Sequence, residues 1–168
     1  LLVAFIHEKN AEISGWTYAH ELGRMHLQQT FEDQISTTCY DNATEENADD
    51  LLAKAIADGN NLIFTTSPPL LKASLKAAIE HPEVKILNCS LNTSHRYIRT
   101  YYARMYEAKF LMGAIAGAMS KNGKIGYIAD YPIFGMTANI NAFALGAKMV
   151  NPRAKVYLEW STLKDHDV

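Results

Sequence analysis

Apolar runs and amphipathic stretches alternate along this chain, a pattern that predicts strands followed by helices. Continuous apolar or β-branched runs are typical of strands buried in a parallel sheet. Six such runs occur, at residues 1–7, 34–40, 61–67, 84–90, 124–130 and 154–160. Between them, apolar residues at helical spacing predict helices at residues 16–31, 48–58, 68–81, 106–119 and 138–149. Residues 96–104 are predicted to be extended and are rich in aromatic side chains.

Local signals set the expected ends of two of these helices. Asn47, with Asp50 three residues later, has the pattern of an N-cap, and Gly59 is expected to end the same helix. Ser67 followed by Pro68 predicts a cap and a first-turn proline for the next helix. The first helix is predicted from apolar residues spaced three apart on one face: Ala19, Leu22 and Met25.

Repeated strand–helix units with short connections predict an α/β fold with a doubly wound parallel sheet. Two arrangements fit six strands: one continuous sheet, or two lobes. The long helix at residues 106–119 stands between a complete four-strand set and a fresh strand–helix–strand unit, as a crossover between lobes does. This favours a Rossmann-like first lobe over residues 1–120 and an incomplete second lobe over residues 121–168. Ligands of such sheets bind beyond the carboxyl ends of the strands.

The charge balance excludes one class of partner. The 168 residues include 16 Lys and Arg against 18 Asp and Glu, a formal net charge of −2. No basic surface suited to a phosphate backbone is therefore expected, and nucleic-acid binding by this segment is not predicted.

The longest strongly apolar stretch, residues 110–119, is too short to span a bilayer. Cys39 and Cys89 belong to no CxxC pattern and are interpreted as small, buried apolar side chains.

The sequence lacks the usual motifs of catalysis and cofactor binding. No GxGxxG follows the first strand, no Walker A motif occurs, and no GxSxG marks a nucleophile elbow. His20 and His26, six residues apart on one helix, lie on different faces and are poor partners for one metal ion. The sequence therefore predicts neither an enzyme nor a cofactor or metal site. Gly113 and Gly117 form a GxxxG, interpreted as close packing of a helix against a sheet.

The candidate binding residues follow the carboxyl ends of the predicted strands. They combine aromatic rings with neutral hydrogen-bonding groups, a set suited to a flat, uncharged ligand with polar edges. They are Trp16, Thr17, Tyr18, His20, Thr66, Ser67, Ser90, Tyr102 and Tyr131. Thr66 and Ser67 are expected at a helix N-terminus, where free backbone N–H groups favour an acceptor.

Trp16 has two interpretations that the pattern fits equally well. It is either a stacking surface for the ligand or a core residue packed over the N-terminus of its own helix. One stacked base contributes about 1–3 kcal/mol, whereas micromolar binding needs about 8 kcal/mol. A receptor of this kind is therefore expected to close a second lobe over its ligand.

Four stretches carry a resemblance to a known family. They are SGWTYAHELGR (14–24), NLIFTTS (61–67), YYARMYEAKFLMGAIAGAMSKNGKIGYIADYPI (101–133) and NINAFALGAKMVNPRAKV (139–156). From its first residue to about residue 160, the chain resembles the basic membrane protein family of bacterial ABC-transporter substrate-binding lipoproteins. The resemblance implies the type I periplasmic-binding-protein fold. Several members of that family bind purine nucleosides or nucleobases for import.

The resemblance also implies roles for single residues. Trp16 takes the position on which a purine ring stacks, and Thr17 stands where the nucleoside-binding branch commonly has an asparagine. Ser67 matches the turn at the end of the third strand, and Tyr102 lies in the segment before the crossover helix. Tyr131 matches the first turn of the second lobe.

Three positions depart from the family pattern and leave the ligand's identity open. Ile13 stands where an acidic residue is usual, Pro68 replaces an aromatic residue, and Gly135 replaces a glutamate. Family members are also about twice as long, which implies that the second lobe is incomplete here. An incomplete lobe has an unpaired sheet edge, which is a route to a homodimer of the fragment.

Together, these expectations predict a solute-binding receptor of a bacterial ABC importer. It would hold a purine nucleoside or nucleobase between its lobes by hinge closure. The implied partners are the small-molecule ligand and an ABC permease. The implied location is outside the cytoplasm, as a membrane-anchored lipoprotein. The alternative is a cytoplasmic metabolite-sensing domain of a transcriptional or signalling regulator with the same fold.

Overall fold

A computed structural model describes residues 1–91, 94–129, 132 and 135–161, in which seven strands and five α-helices form. The strands are β1 (Leu2–Ile6), β2 (Ser36–Tyr40), β3 (Leu62–Thr65), β4 (Lys85–Cys89), β5 (Ile98–Tyr101), β6 (Lys124–Ala129) and β7 (Lys155–Trp160). The helices are α1 (Gly15–Phe31), α2 (Ala48–Ala57), α3 (Leu71–Glu80), α4 (Met105–Met119) and α5 (Met136–Val150). Every predicted strand and helix is present, and the extended segment at residues 96–104 contributes β5 as a further strand.

The first five strands form one parallel sheet in the order β2-β1-β3-β4-β5. In the register, Val3 of β1 lies opposite Thr37 of β2 and Leu62 of β3. The chain order reverses between β1 and β3, which makes this the switch point of a doubly wound sheet. The predicted α/β class is confirmed, and the strands form two separate sheets, in line with the preferred two-lobe arrangement. Because all five strands are parallel, their carboxyl ends lie along one edge.

Helices cover both faces of this first sheet. On one face, Ala4, Ile63 and Ile86 lie side by side in register and form the main core with apolar side chains of α2 and α3. On the other face, α1 contacts His7 and Cys39 through hydrogen bonds. The sheet is therefore apolar towards α2 and α3 and partly polar towards α1.

The orientation of α1 does not follow its apolar residues. The apolar stripe that predicted the helix is exposed, with Leu22 at 48% and Met25 at 49%. Thr17 is the buried residue of this helix. Glu21 and Arg24 lie against β1 and β2, where their side chains find hydrogen-bond partners. The polar partners on the sheet, and not the apolar stripe, decide which side of α1 faces inwards.

Asn47 precedes α2 but does not cap it with its side chain, contrary to the prediction. Its Oδ1 accepts a hydrogen bond from the Thr44 amide at 2.7 Å, and its Nδ2 donates to the Asn42 carbonyl at 3.1 Å. The side chain therefore stabilises the loop before the helix.

The chain after β3 enters a 3-10 turn, Pro68–Leu70, and α3 begins only at Leu71. Ser67 precedes this turn without a side-chain cap, so the predicted cap is wrong. Neither Pro68 nor Pro69 has a backbone N–H. The free N–H donors expected beside Thr66 and Ser67 are therefore missing from the start of this turn.

The second sheet consists of the parallel pair β6 and β7, accompanied by α4 and α5. A Cβ on Gly113 would overlap the carbonyl oxygen of Phe143, and one on Gly146 would overlap that of Phe110. Gly117 is also crowded by the backbone of α5, at Ala147. The GxxxG glycines thus allow two helices to touch, and the prediction that these glycines pack against a sheet is wrong.

The chain divides into two compact units, Leu1–Tyr102 and Ala103–Val168. The predicted first lobe extended through residue 120, whereas α4 belongs to the second unit because it packs on α5. The extent of the two lobes in a complete protein stays a prediction. None of the helices in the described ranges is long and apolar enough to cross a membrane.

Candidate functional site

The candidate site lies at the carboxyl edge of the first sheet, around the β1/β3 switch point. The polar residues that follow the strands there are His7, Thr66, Ser67 and Ser90. Backbone bonds continue across this edge: the Thr66 N–H donates to the Ile6 carbonyl, and the Ser90 N–H to the Tyr101 carbonyl, both at 3.0 Å. Neighbouring strand ends are therefore held together one residue beyond the sheet.

Trp16, in the first turn of α1, lies at this edge. Its indole N–H donates to the carbonyl oxygen of Thr66 at 2.7 Å. The centroid of its ring is 5.1 Å from that of His20 and 6.1 Å from that of Tyr102. The residue nevertheless stays 38% exposed. The indole is thus fixed by its N–H, flanked by rings and still partly exposed, which does not fit a buried core residue.

The local sequence explains why Trp16 stands at the start of the helix. Ser14 has an extended backbone, with φ −130° and ψ 112°, and its Oγ accepts a hydrogen bond from the Thr17 amide at 3.2 Å. This is the geometry of an N-cap. The cap makes Trp16 the second helical residue and turns Thr17 inwards, where it is 2% exposed.

A hydrogen-bond network lies behind Trp16, centred on the fully buried His7. The His7 Nδ1 is 2.9 Å from the Thr66 Oγ1, and its Nε2 is 3.2 Å from the Glu21 Oε1. The Arg24 guanidinium donates three hydrogen bonds of 2.8–3.0 Å to the same carboxylate. The Cys39 thiol donates to it at 2.9 Å. The network joins α1 to β1, β2 and the end of β3.

The pKa values of the network follow from these contacts. Burial lowers the pKa of His7 below 6.5, although the hydrogen bond and charge of Glu21 oppose the change. Burial alone would raise the pKa of Glu21, but hydrogen bonds from Arg24 and Cys39 outweigh it and lower this pKa to about 2. Burial and the adjacent carboxylate raise the pKa of Cys39 to about 12. At neutral pH, an ionised Glu21 therefore faces a neutral imidazole and a protonated thiol.

Acid is expected to weaken the fold through Glu21. Its pKa falls from 4.5 to about 2 in the folded chain, so its stabilisation is present above about pH 4.5 and is lost as the pH falls towards 2. We expect a loss of about 1–2 kcal/mol, less than the full shift implies, because the carboxylate is partly solvated. Urea unfolding at about pH 5 and about pH 2.5 measures it. Glu21→Gln should lack most of this dependence, and an unchanged dependence in the variant would contradict the assignment.

The same network contains three atoms of kinds that bind metals. One ligand atom each from His7, Glu21 and Cys39 lies within 4.8 Å of the other two. Imidazole, carboxylate and thiolate are all zinc ligands. Two features oppose a metal: Arg24 already engages the carboxylate, and the raised pKa of Cys39 disfavours the thiolate. We therefore assign the cluster to hydrogen bonding.

Neutral polar groups form a wall at the ends of β3 and β4. Within the part of the chain that the structure describes, Ser67 Oγ, Asn88 Oδ1 and Ser90 Oγ are buried without a hydrogen-bond partner. The Asn88 amide nitrogen donates to the Thr65 Oγ1 at 2.9 Å and to the Ser67 carbonyl at 2.8 Å. Both of its hydrogens are thus used, and its oxygen remains an acceptor. Native structures leave few buried polar atoms unpaired, so three at one edge mark a candidate binding wall.

The structure brings several of the predicted binding residues together. Trp16 contacts His20, Thr66 and Tyr102. The residues that follow β3 and β4 at the same edge are Ser67 and Ser90. Of the others, Thr17 is buried, Tyr18 is 54% exposed on α1, and Tyr131 lies outside the described residues.

Three residues of this region were not among the predicted ones: His7, Glu21 and Asn88. His7 and Asn88 share a signal that was available in the sequence, a polar side chain at or near the end of an otherwise apolar strand. Glu21 carries no such signal, because a charged residue on an amphipathic helix is ordinarily solvated.

Two of the three positions that depart from the family pattern, Pro68 and Gly135, have local structural roles. Ile13 is 71% exposed just before α1. Pro68 opens the 3-10 turn. Gly135 precedes α5 with φ 82°, a conformation that favours glycine over glutamate.

A doubly wound parallel unit followed by a second strand–helix–strand unit is an architecture that this chain shares with solved ABC transporter solute-binding proteins. Residues 1–168 match the family model of PnrA-like ABC transporter substrate-binding proteins, Bmp. The chain belongs to this family, and the resemblance found in its sequence is confirmed. The family is one of substrate-binding transport proteins and not of enzymes, as predicted.

Individual relatives agree with this assignment. A purine-binding protein of Brucella abortus is 35% identical over 161 residues, 95% of this chain and 46% of the relative. A putative ABC transporter glucose-binding protein of Haloferax volcanii is 29% identical over 147 residues, 87% of this chain and 37% of the relative. The crystal structure of an ABC transporter solute-binding protein of Aeropyrum pernix K1 is 19% identical, with a TM-score of 0.74 over 96% of this chain and 47% of that chain. The chain spans less than half the length of each.

Proposed function

We propose that this chain is the ligand-stacking part of an ABC importer's solute-binding receptor and that it takes a purine nucleoside or nucleobase. The observation that carries the proposal is the position of Trp16, exposed at the switch point and fixed by its N–H. Ligands of doubly wound sheets bind at this place. A purine ring on the indole face would gain about 1–3 kcal/mol.

The neutral wall supports an uncharged heterocycle with polar edges. The unpaired oxygens of Ser67, Asn88 and Ser90 can accept hydrogen bonds, and the two hydroxyls can also donate them. Purines offer both ring acceptors and N–H donors. The name of the Brucella abortus relative, a purine-binding protein, agrees with this ligand class.

A second ligand class has its own support. The Haloferax volcanii relative bears the name of a glucose-binding protein. A sugar also presents an apolar face to an aromatic ring and hydroxyl groups to a polar wall. Sugars therefore belong in any ligand screen beside purines.

The proposed mechanism is hinge closure without covalent chemistry. The ligand first stacks on Trp16 in the first lobe, and the second lobe then covers it, with Tyr131 contributing from that side. An ABC permease recognises the closed form. We place the receptor outside the cytoplasm as a membrane-anchored lipoprotein, and a homodimer of the fragment stays a prediction.

A ligand screen on the full-length protein tests the proposal. We expect adenosine, guanosine, inosine or their free bases to raise the melting temperature, whereas ribose and glucose leave it unchanged. A ligand at 100 times its Kd stabilises the folded state by about 2.7 kcal/mol, which a thermal shift detects readily. Stabilisation by sugars alone would overturn the purine assignment.

The sensor alternative is tested on the complete gene. A lipobox cysteine after an apolar leader supports import. A helix-turn-helix or another regulatory module fused to this domain supports a cytoplasmic sensor.

A further inference from the structure

His7 connects the proposed stacking residue to the sheet, although it is itself fully buried. We propose that His7 is the positioning residue of the Trp16 indole and acts through Thr66. This inference rests on the proposed function, since it assigns a role in ligand affinity to a residue that the ligand does not reach.

Thr66 is the link, because its carbonyl holds the indole and its side chain reaches the imidazole. Its N–H donates to the Ile6 carbonyl, its carbonyl accepts from the Trp16 indole, and its Oγ1 lies 2.9 Å from the His7 Nδ1. The direction of the Thr66 carbonyl therefore sets the direction of the indole N–H. The contact with His7 holds the side chain of the same residue and removes its freedom to rotate.

A neutral His7 can form both of its hydrogen bonds, because one ring nitrogen donates and the other accepts. An ionised Glu21 only accepts, so the Nε2 of His7 carries the hydrogen and donates to it. The Nδ1 is then an acceptor for the Thr66 hydroxyl. The Ile6 carbonyl lies 3.0 Å from the same hydroxyl and also accepts the Thr66 N–H, so the hydroxyl hydrogen is shared between this carbonyl and the Nδ1. Each buried polar atom of His7 and Thr66 thus has a partner without a net charge on the imidazole.

The network also restrains α1 at two points. Trp16 attaches the first turn of the helix to Thr66. Glu21 lies five residues later and attaches the second turn to His7. Both anchors directly follow neighbouring strands, β1 and β3, at the switch point. Two attachments on one helix prevent it from rotating about its axis, and that rotation would swing the indole away from the edge.

Two substitutions of His7 separate positioning from simple stability. The amide of asparagine reaches the place of Nδ1 and keeps the contact with Thr66, whereas that of glutamine reaches the place of Nε2 and keeps the contact with Glu21. Both variants lose one buried hydrogen bond, so their stabilities should fall alike. Calorimetry with the best purine ligand of the full-length protein should give an affinity within about threefold of the parent for His7→Asn, and about tenfold weaker for His7→Gln.

A substitution of Thr66 tests the same contact if His7→Gln fails to fold. Thr66→Val preserves the shape of residue 66 and removes only its hydroxyl contact, so it should weaken binding as His7→Gln does. Thr66→Ser, which keeps the hydroxyl, is its matched control. Affinities that are equal for His7→Asn and His7→Gln, or for Thr66→Val and Thr66→Ser, would overturn the positioning role.

A spectroscopic readout separates this inference from the proposed function. The emission of Trp16 is obtained as the difference between each protein and its Trp16→Phe counterpart, and it needs no ligand. We expect Thr66→Val and His7→Gln to change this emission and His7→Asn to leave it unchanged. A purine affinity that is unchanged in Trp16→Ala would count against the proposed function, whereas unchanged emission in Thr66→Val would count against the role of His7.

Discussion

Replacing Trp16 with alanine in the full-length protein is expected to weaken purine binding by about 5- to 150-fold, the equivalent of about 1–3 kcal/mol for one stacked base. The loss should appear in affinity more than in folding, because the indole is 38% exposed and contributes little to the core. Calorimetry with the purine that gives the largest thermal shift measures it. An unchanged affinity would reject the stacking role.

Two further variants locate the effect on the ring itself. Trp16→Phe keeps an aromatic face but loses the N–H bond to Thr66, so we expect a smaller loss than with alanine. Trp160→Phe changes the other tryptophan of the chain, which packs against the core of the second unit. It should leave purine affinity as it is, and a similar loss in this variant would indicate a general effect on folding.

Introducing a methyl group at Gly113 is expected to destabilise the second unit by about 3 kcal/mol or more, at the upper end of the range for overpacking. The Cβ of Gly113→Ala would overlap the carbonyl oxygen of Phe143. A backbone atom of a neighbouring helix cannot rotate away as a flexible side chain does, so α4 and α5 must separate. The change in unfolding free energy, measured by urea titration with circular dichroism, reports this cost.

Gly23→Ala is the matched control for this substitution. Gly23 is also helical, in α1, but a Cβ there meets nothing within 4 Å. Alanine is a better helix former than glycine, so this variant should be more stable by about 0.5–1 kcal/mol. If Gly113→Ala behaved like Gly23→Ala, the close approach of α4 and α5 would be disproved.

The order of strands and helices was predictable because it depends on local patterns. A run such as residues 1–7 buries both of its faces and therefore carries apolar residues at almost every position. The helix ends were less predictable. Asn47 has the sequence of a cap, yet its amide bonds to the preceding loop, and two prolines after Ser67 replace the expected helix start by a 3-10 turn.

The candidate site was predictable only in part. The carboxyl ends of parallel strands share an edge, so the sequence pointed to Trp16 and Thr66 at one place without any knowledge of contacts. The residues behind them lie far apart in the chain. His7, Glu21 and Asn88 meet their partners through strand order and register, which no local pattern contains.

The sequence by itself determined the alternation of elements, the parallel α/β class, the family and the position of an indole at a strand-to-helix turn. All of these depend on neighbours within one or two helical turns, or on motifs of contiguous residues. Only the tertiary structure decided which side of α1 faces the sheet, that α4 packs on α5 through glycines, and that a buried histidine supports the residue that holds the indole. These features depend on partners from distant segments of the chain. A buried unpaired polar group or a backbone overlap costs free energy only when another segment packs against it.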